Sequence, residues 1–333
     1  MQAAQLMKYD KNFKLVVRDI PKPVPYDHEV LVQVKVAAVN PLEHLIGSGS
    51  VKLIQNYPMP VTMGNELAGI VTAVGSQVQH FQVGDEIYSR LPLTKIGAFA
   101  EYVAIDENAV ALKPRNLDFA HSAAVALTGL TAYQGFTEEL AAHPGQSVMI
   151  PGGSGSFGQL AIPIAKSLGL NVMVSGNARG EQSAAAMGVS QYFNYKKENY
   201  WEHLAPVDFV IDTIGKRELA HELSVLKPGG RLLSLRIGPN RRFAQQHQLS
   251  AFKTLLFSMA GASLDRQAKK AGVQYHFIFV RSDGEQLAKI TKIVEQANII
   301  PAIDPTEFTL DQVNEALALV GNGHPKGKVL IKF

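Results

Sequence analysis

Three glycines, Gly153, Gly155 and Gly158, stand at G-x-G-x-x-G spacing within residues 147–169, S-V-M-I-P-G-G-S-G-S-F-G-Q-L-A-I-P-I-A-K-S-L-G. Each has a physical job in a phosphate-binding turn. The first permits a tight bend, the second lets a pyrophosphate reach the backbone, and the third lets a helix pack against a strand. Free N–H groups and the positive dipole end at a helix N-terminus complete the anion site. The flanks fit this reading: Val148, Met149 and Ile150 form the short apolar run of a buried parallel strand. Leu160, Ile164 and Leu168, with Ala161 and Ala165 beside them, recur at three and four residues as an amphipathic helix requires. Gly153, Ser154, Gly155, Ser156, Phe157 and Gly158 are therefore the candidate dinucleotide cradle. The plain alternative is a strand-to-helix loop that happens to be rich in glycine.

Asn171 to Ser175, N-V-M-V-S, is predicted as the second strand. A site for NAD carries an Asp or Glu at the end of that strand, about 20 residues past the glycines, to grip the ribose hydroxyls. Ser175, Gly176 and Asn177 stand there instead, followed by Arg179. An acid would repel a 2′-phosphate, whereas small polar residues and an arginine hold one by charge-assisted hydrogen bonds. The expected cofactor is NADP(H). The competing reading of Arg179 is a solvated charge at a helix start.

The elements around this stretch must position it. The first third is β-rich. Glu29–Asn40 puts Val30, Val32, Val34 and Val36 on one face of a strand, with Gln33 and Lys35 on the other. Further runs at Glu66–Val74, Glu86–Ser89 and Phe99–Ile105 are separated by Gly75-Ser76 and Gly84-Asp85, both turn signals, and predict a partly closed barrel or sandwich. Helical periodicity is expected from Leu117 through Ala142. Strands and helices then alternate: Val207–Asp212 is the fourth-strand candidate, Leu219–Leu226 a helix, Arg231–Arg236 the next strand. Such alternation predicts right-handed βαβ units and a doubly wound parallel sheet. Gly238–Gly272, rich in Arg and Lys, reads as a loop and an amphipathic helix. His276–Arg281 reads as a last strand, Ser282–Ala297 as a helix and Lys328–Lys332 as a terminal strand.

The 333 residues suffice for two domains, each with its own core. Hydrophobic residues at 46% and charged residues at 18% suit a globular enzyme. A formal net charge of +3 is too slight to make nucleic acid or a membrane surface the main partner. No apolar run reaches transmembrane length and no signal-sequence pattern opens the chain, so the cytoplasm is the expected location. The chain has no cysteine, which fits that location and removes disulfides, thiol nucleophiles and cysteine-ligated metal sites.

Taken in order, A-A-V-N-P at 37–41, G-N-E-L-A-G-I-V-T-A-V-G at 64–75, F-Q-V-G-D-E-I-Y at 81–88, G-A-F-A-E-Y-V at 97–103, G-L-T-A-Y at 129–133, the glycine motif, K-P-G-G-R-L at 227–232 and H-P-K-G-K-V-L-I at 324–331 resemble the medium-chain dehydrogenase/reductase superfamily, in its zinc-lacking quinone oxidoreductase and enone reductase branch. The resemblance covers nearly the whole chain. It implies an α/β fold in which a GroES-like β-barrel catalytic domain, residues 1–126 completed by 283–333, is split around a Rossmann doubly wound parallel sheet, residues 127–282, with substrate and nicotinamide in the cleft. Zinc-dependent members carry G-H-E where Gly64-Asn65-Glu66 stands and use cysteines that this chain lacks, so no metal site is expected.

The resemblance also implies residue roles. Asn40 is expected at the cleft, bonding the nicotinamide ribose or the substrate carbonyl. Thr131, Ile214, Gly215, Leu235 and Ile237 are expected along the cofactor, and Tyr195 and Lys326 at its phosphates. Tyr57 and His44 are the nearest candidates for a proton donor, with Glu43 a candidate only by neighbourhood. Without a Lewis acid, alcohol oxidation is disfavoured, while reduction of a quinone or activated C=C bond needs hydride and a polarised carbonyl. No acid stands out to protonate an enolate carbon, which tilts the expected acceptor towards quinones over enones. A dinucleotide sensor that kept the fold and lost turnover is the competing reading from another class. A homodimer through the apolar segment His276–Val280, at the presumed sheet edge, is expected as well.

Overall fold

A computed structural model describes residues 1–323 and 325–333. The chain divides into two compact units, Met1–Leu130 with Arg281–Phe333, and Thr131–Val280. The first division falls inside the helix Ala126–Gln134, four residues beyond the boundary drawn from sequence.

The first unit is built on the 11-residue strand Glu29–Val39. It pairs antiparallel with Glu66–Val74, with Tyr102–Asp106 and with the C-terminal strand Val329–Lys332. Val30, Val32, Val34 and Val36 are buried as alternation predicts, but Leu31 and Ala37–Val39 are buried too, and Gln33 and Lys35 are half-buried. Partners on both edges and packing on both faces override the simple inside–outside pattern. The register shifts near Val34, opposite Gly69, whose missing Cβ would lie 2.2 Å from the Gln33 carbonyl oxygen. A side chain there would block the pairing. Glu86–Arg90 and Val110–Leu112 extend this sheet on one side and Phe308–Thr309 on the other. A three-stranded sheet, Leu15–Asp19, Gln2–Leu6 and Val61–Thr62, covers it.

The second unit is a six-stranded, all-parallel sheet. In sequence its strands are Ser147–Ile150, Asn171–Gly176, Gln191–Asn194, Val207–Asp212, Leu226–Ser234 and Gln274–Phe277. In space the order is third, second, first, fourth, fifth, sixth. That order reverses between the first and fourth strands, and ligands in such sheets bind at the carboxyl ends beside this switch point.

Three expectations change. The helix predicted from Leu117 through Ala142 is three pieces, Phe119–Ala123, Ala126–Gln134 and a π turn at Gly135–Glu139, because the Asp118 side chain caps a separate first helix by accepting from the His121 N–H. The last strand is Gln274–Phe277 and not His276–Arg281. Its partner runs only to Ser234, after which the N–H groups of Arg236 and Ile237 bend back onto the Ser234 hydroxyl, so Ile278 onwards has no ladder to join. The Gly238–Gly272 stretch holds two helices, Arg241–Gln246 and Ala251–Lys270. Among the described residues no helix is long and apolar enough to cross a membrane.

Candidate dinucleotide cradle and buried acid–lysine cluster

The cradle follows the first strand of the parallel sheet. The left-handed turn residue is Gly152, φ +72°, one position before the motif. The tight bend assigned to Gly153 is thus made by its neighbour, and a Cβ on Gly152 would also stand 2.7 Å from Thr213 Oγ1. Gly153 is glycine for contact: its Cβ would meet Val174 Cγ1 at 2.7 Å and the Ile150 carbonyl oxygen at 3.0 Å. At Gly158 the Cβ would lie 1.8 Å from the Gly153 carbonyl oxygen, so helix Ser156–Ser167 packs on the turn only through a glycine. Gly155 differs. It is the helix N-cap, extended at φ −82°, ψ 180°, and its nearest protein atom would be the Gly152 carbonyl oxygen at 3.4 Å. Neither conformation nor packing requires glycine there, and the position is exposed together with Ser156. An open face at a helix N-terminus is what an approaching pyrophosphate needs, so the residues fit a dinucleotide. Ser154 and Phe157 are half-buried beside it.

The second strand ends on the same side. Ser175 is buried, and its hydroxyl accepts from the Gly152 N–H at 3.3 Å, tying the turn to the strand. Asn177 Oδ1 accepts from the Arg179 N–H at 2.9 Å, which leaves the Arg179 side chain exposed at a cleft of about 200 Å³ shared with Gly153, Ser154, Asn177, Gly180 and Ser183. Tyr195 is exposed as well, and its N–H donates to the Gly176 carbonyl.

At the fourth strand's end, the fully buried Asp212 holds two loops. Its Oδ1 accepts from the N–H groups of Ile214 at 2.8 Å and Gly215 at 2.6 Å, and its Oδ2 from the Ser234 hydroxyl at 2.6 Å. Gly215 has φ +100°, where glycine is favoured. The Leu235 N–H donates to the Asp212 carbonyl, so Leu235 and Ile237, both half-buried, are fixed by the same residue pair. Behind them Glu222 is buried, and burial followed by the nearby Asp212 charge pushes its pKa up to about 10. Thr131 lies half-buried in the helix Ala126–Gln134.

The first unit holds a buried polar cluster centred on Glu66, which has no exposed surface. Its Oε1 accepts from Lys328 Nζ at 2.6 Å and Asn40 Nδ2 at 2.8 Å, and its Oε2 from the Leu127 N–H at 2.6 Å. Lys328 Nζ also donates to Asn40 Oδ1 at 2.5 Å and Thr128 Oγ1 at 3.3 Å. One carboxylate thereby joins the end of a long strand, the C-terminal strand and the first turn of a helix, where the dipole favours an anion. Glu43 stands alongside: its Oε2 accepts from the Asn40 N–H at 2.7 Å, closing the first turn of helix Pro41–Gly47, and its Oε1 from Asn65 Nδ2 at 2.8 Å. Burial raises the Glu43 pKa to about 7 against those hydrogen bonds.

This geometry redistributes the expected roles. Both ends of the Asn40 amide, expected at the nicotinamide ribose or the substrate carbonyl, are hydrogen-bonded inside the cluster, to Glu66 and Lys328. His44 Nε2 meets the Leu317 carbonyl at 2.8 Å and the ring packs edge-on against Phe13, which makes it a packing residue between helices Pro41–Gly47 and Val313–Asn322. Lys326 offers its N–H to Asp304, while the lysine brought to Asn40 is Lys328, two residues on. Tyr57 is buried in the hydrophobic core, and burial pushes its phenol up to about 12 against the opposing field of Arg90. Arg90 is fully buried; it bonds the Leu91 carbonyl through Nη1, while Nε and Nη2 have no acceptor among the described residues. Desolvation lowers its pKa to about 10, so it keeps its charge at neutral pH. Sequence reasoning missed Lys328, Arg90, Gly152 and Tyr192. A G-K dipeptide before a terminal strand was the one signal available, for Lys328.

Comparison with known proteins agrees with both units. Residues 26–115 match the family described as Alcohol dehydrogenase GroES-like domain, and residues 187–331 the family described as Zinc-binding dehydrogenase. The chain is 31% identical over 314 residues to the 2-methylene-furan-3-one reductase of Solanum lycopersicum, covering 92% of this chain and 72% of that protein. It is 29% identical over 263 residues to the quinone oxidoreductase of Homo sapiens, covering 75% of this chain and 79% of that protein. The solved structure of the quinone oxidoreductase from Coxiella burnetii superimposes with a TM-score of 0.79 at 26% identity, covering 100% of this chain and 99% of that one. With its GroES-like unit, its parallel sheet and these relatives, the chain belongs to the medium-chain dehydrogenase/reductase superfamily and is an oxidoreductase.

Proposed function

We propose that this chain reduces quinones with NADPH, without a catalytic metal. NADPH, when bound, supplies the hydride. The chain's residues do the rest. The turn Gly152–Gly158 and the N-terminus of helix Ser156–Ser167 receive the pyrophosphate, and Arg179 and Asn177 hold the 2′-phosphate. Asp212 and Ser234 stiffen the loops carrying Ile214, Gly215, Leu235 and Ile237. Glu66, paired with Lys328, fixes the first turn of the helix that carries Thr131.

The observation that carries the reading is Arg90. A buried guanidinium whose Nε and Nη2 lack acceptors among the described residues is rare in a native protein and asks for a partner. Reduction of a conjugated carbonyl places negative charge on oxygen, which such donors stabilise, and Tyr57 is a second donor that stays protonated. Asn65, which stands where the zinc-dependent members resembled carry the histidine of G-H-E, donates to Glu43 instead. Glu43, the carboxyl with a pKa near neutrality, has both oxygens engaged by Asn40 and Asn65, which favours a quinone, whose reduced oxygen takes a proton from water, over an enone, whose carbon needs a placed acid. The enone reading rests on the resemblance to 2-methylene-furan-3-one reductase along 92% of the chain.

A turnover panel with NADPH tests both. A kcat/KM for benzoquinone-type acceptors at least tenfold above small enals and enones is expected. The reverse order establishes the enone reading, and no turnover with either class leaves a dinucleotide sensor. We propose in addition a homodimer joined at the edge strand Gln274–Phe277, which among the described residues has a sheet neighbour on one side only. Sedimentation as a stable monomer at micromolar concentration would refute it.

A further inference from the structure

The turn that follows the second strand is folded around a tyrosine from the third. Tyr192 Oη donates to the Asn177 carbonyl at 2.5 Å and is hydrogen-bonded by the Ser154 side chain. The same Asn177 carbonyl accepts the Gly180 N–H at 3.0 Å, so one oxygen is shared by the tyrosine and by the turn itself. Two glycines make room for the hydroxyl pair. A Cβ on Gly176 would stand 2.3 Å from Tyr192 Oη, 2.5 Å from Ser154 Oγ and 2.6 Å from Ser154 Cβ. A Cβ on Gly180 would stand 2.4 Å from Ser154 Cβ and 3.0 Å from Tyr192 Oη. Neither glycine has a left-handed φ, so space alone demands the residue type.

Gly176 is the last residue of the second strand, the place from which an Asp or Glu reaches the ribose hydroxyls in an NAD site. We infer that Tyr192 and Ser154 are specificity-determining residues: they fill the space a ribose-binding carboxylate would occupy and shape the Asn177–Gly180 turn that presents Arg179 to a 2′-phosphate. The inference deepens the NADPH reading and rests on it for the role of Arg179. The exclusion of a side chain at Gly176 is independent of that reading. The absence of an acid is thereby built into the packing of the strand end. A single substitution at Gly176 cannot restore it, because the hydroxyl pair stands in the way.

The test uses the full chain, with calorimetric Kd values for NADPH and NADH and thermal unfolding read together. Tyr192→Phe is expected to lower the NADPH-over-NADH ratio about tenfold, through weaker NADPH binding, with a melting temperature near that of the parent. Gly176→Asp is expected to melt below the parent and to bind both dinucleotides poorly. The same Gly176→Asp in a Ser154→Gly, Tyr192→Ala background is expected to recover the melting temperature and to bind NADH at least tenfold tighter than Gly176→Asp alone. Gly176→Asp that melts like the parent and binds NADH tightly by itself overturns the inference, as does an unchanged ratio in Tyr192→Phe. A parent that binds both dinucleotides equally removes the NADPH reading. In that case the recovery, or its failure, of Gly176→Asp in the opened background still decides whether Tyr192 and Ser154 close the strand end.

Discussion

Gly155 and Gly158 lie three residues apart in one motif, yet replacing each by alanine is expected to damage different properties. A Cβ at position 158 would sit 1.8 Å from the Gly153 carbonyl oxygen, so turn and helix must part by roughly 1.6 Å to reach ordinary contact at 3.4 Å. The backbone fixes the position of both atoms, and no rotamer relieves the clash. The cost falls at the upper end of overpacking, about 3 kcal/mol, or roughly 6–12 °C in melting temperature for a unit of this size. A Cβ at 155 meets the Gly152 carbonyl oxygen at 3.4 Å with allowed dihedrals, and alanine loses only a good N-cap, about 0.5–1 kcal/mol. Its methyl group, however, projects from the face left open for a pyrophosphate. Binding of NADPH to Gly155→Ala should weaken at least tenfold, about 1.4 kcal/mol. Thermal unfolding and calorimetric titration of the two variants separate the effects. Gly155→Ala binding NADPH as tightly as the parent would refute the phosphate assignment. Gly158→Ala melting with the parent would refute the packing argument.

Arg179→Glu should lower the NADPH-over-NADH preference roughly thirtyfold, about 2 kcal/mol, by replacing a hydrogen-bonded cation with a like charge, and paired Kd measurements check it. Lys328→Ala strands the buried Glu66 carboxylate and should cost about 3–5 kcal/mol of stability, whereas Lys326→Ala should stay within about 0.5 kcal/mol; equal denaturation midpoints for the two would sink the cluster's assigned role. Glu43 carries the pH dependence of the first unit. Its folded pKa, about 7, lies above the ordinary 4.5, so its contribution is fully present below about pH 4.5 and is lost as pH rises through 7. Glu43→Gln stays neutral, and turning the Asn65 amide offers its Oδ1, without a partner among the described residues, to the new NH₂. The melting temperature of Glu43→Gln relative to the parent should therefore climb between pH 5 and pH 8, and a constant difference would exclude Glu43 as the titrating group.

Much of the architecture was legible in order along the chain. The run Val148–Ile150, the glycines and the period of Leu160, Ile164 and Leu168 specify a strand, a turn and a helix, because each follows from contacts among neighbours in sequence. Val207–Asp212 and Glu66–Val74 were placed to the residue for the same reason. Local pattern was less reliable where a partner sets the limit. The last strand stops at Phe277 because the strand beside it turns away after Ser234, and nothing in His276–Arg281 encodes that. The alternation of Glu29–Val39 is masked in the same way, by neighbours on both edges. The glycine spacing announced a cradle, but only the packed structure separates the glycine that turns the chain, Gly152, from those that let it pack and from Gly155, which the protein itself does not need.

By itself, then, the sequence determined the family, the parallel sheet and the glycine-rich turn between its first strand and helix, since these rest on residue types at short spacing. The tertiary structure alone decided which charges meet. Asn40 and Lys328 are 288 residues apart, and Tyr192 reaches Asn177 across two strands whose register no local pattern states. Burial then makes those meetings consequential. A carboxylate, an ammonium and a guanidinium removed from water interact strongly and hold one geometry, and which of 32 basic and 29 acidic residues are so removed is a property of the folded first unit.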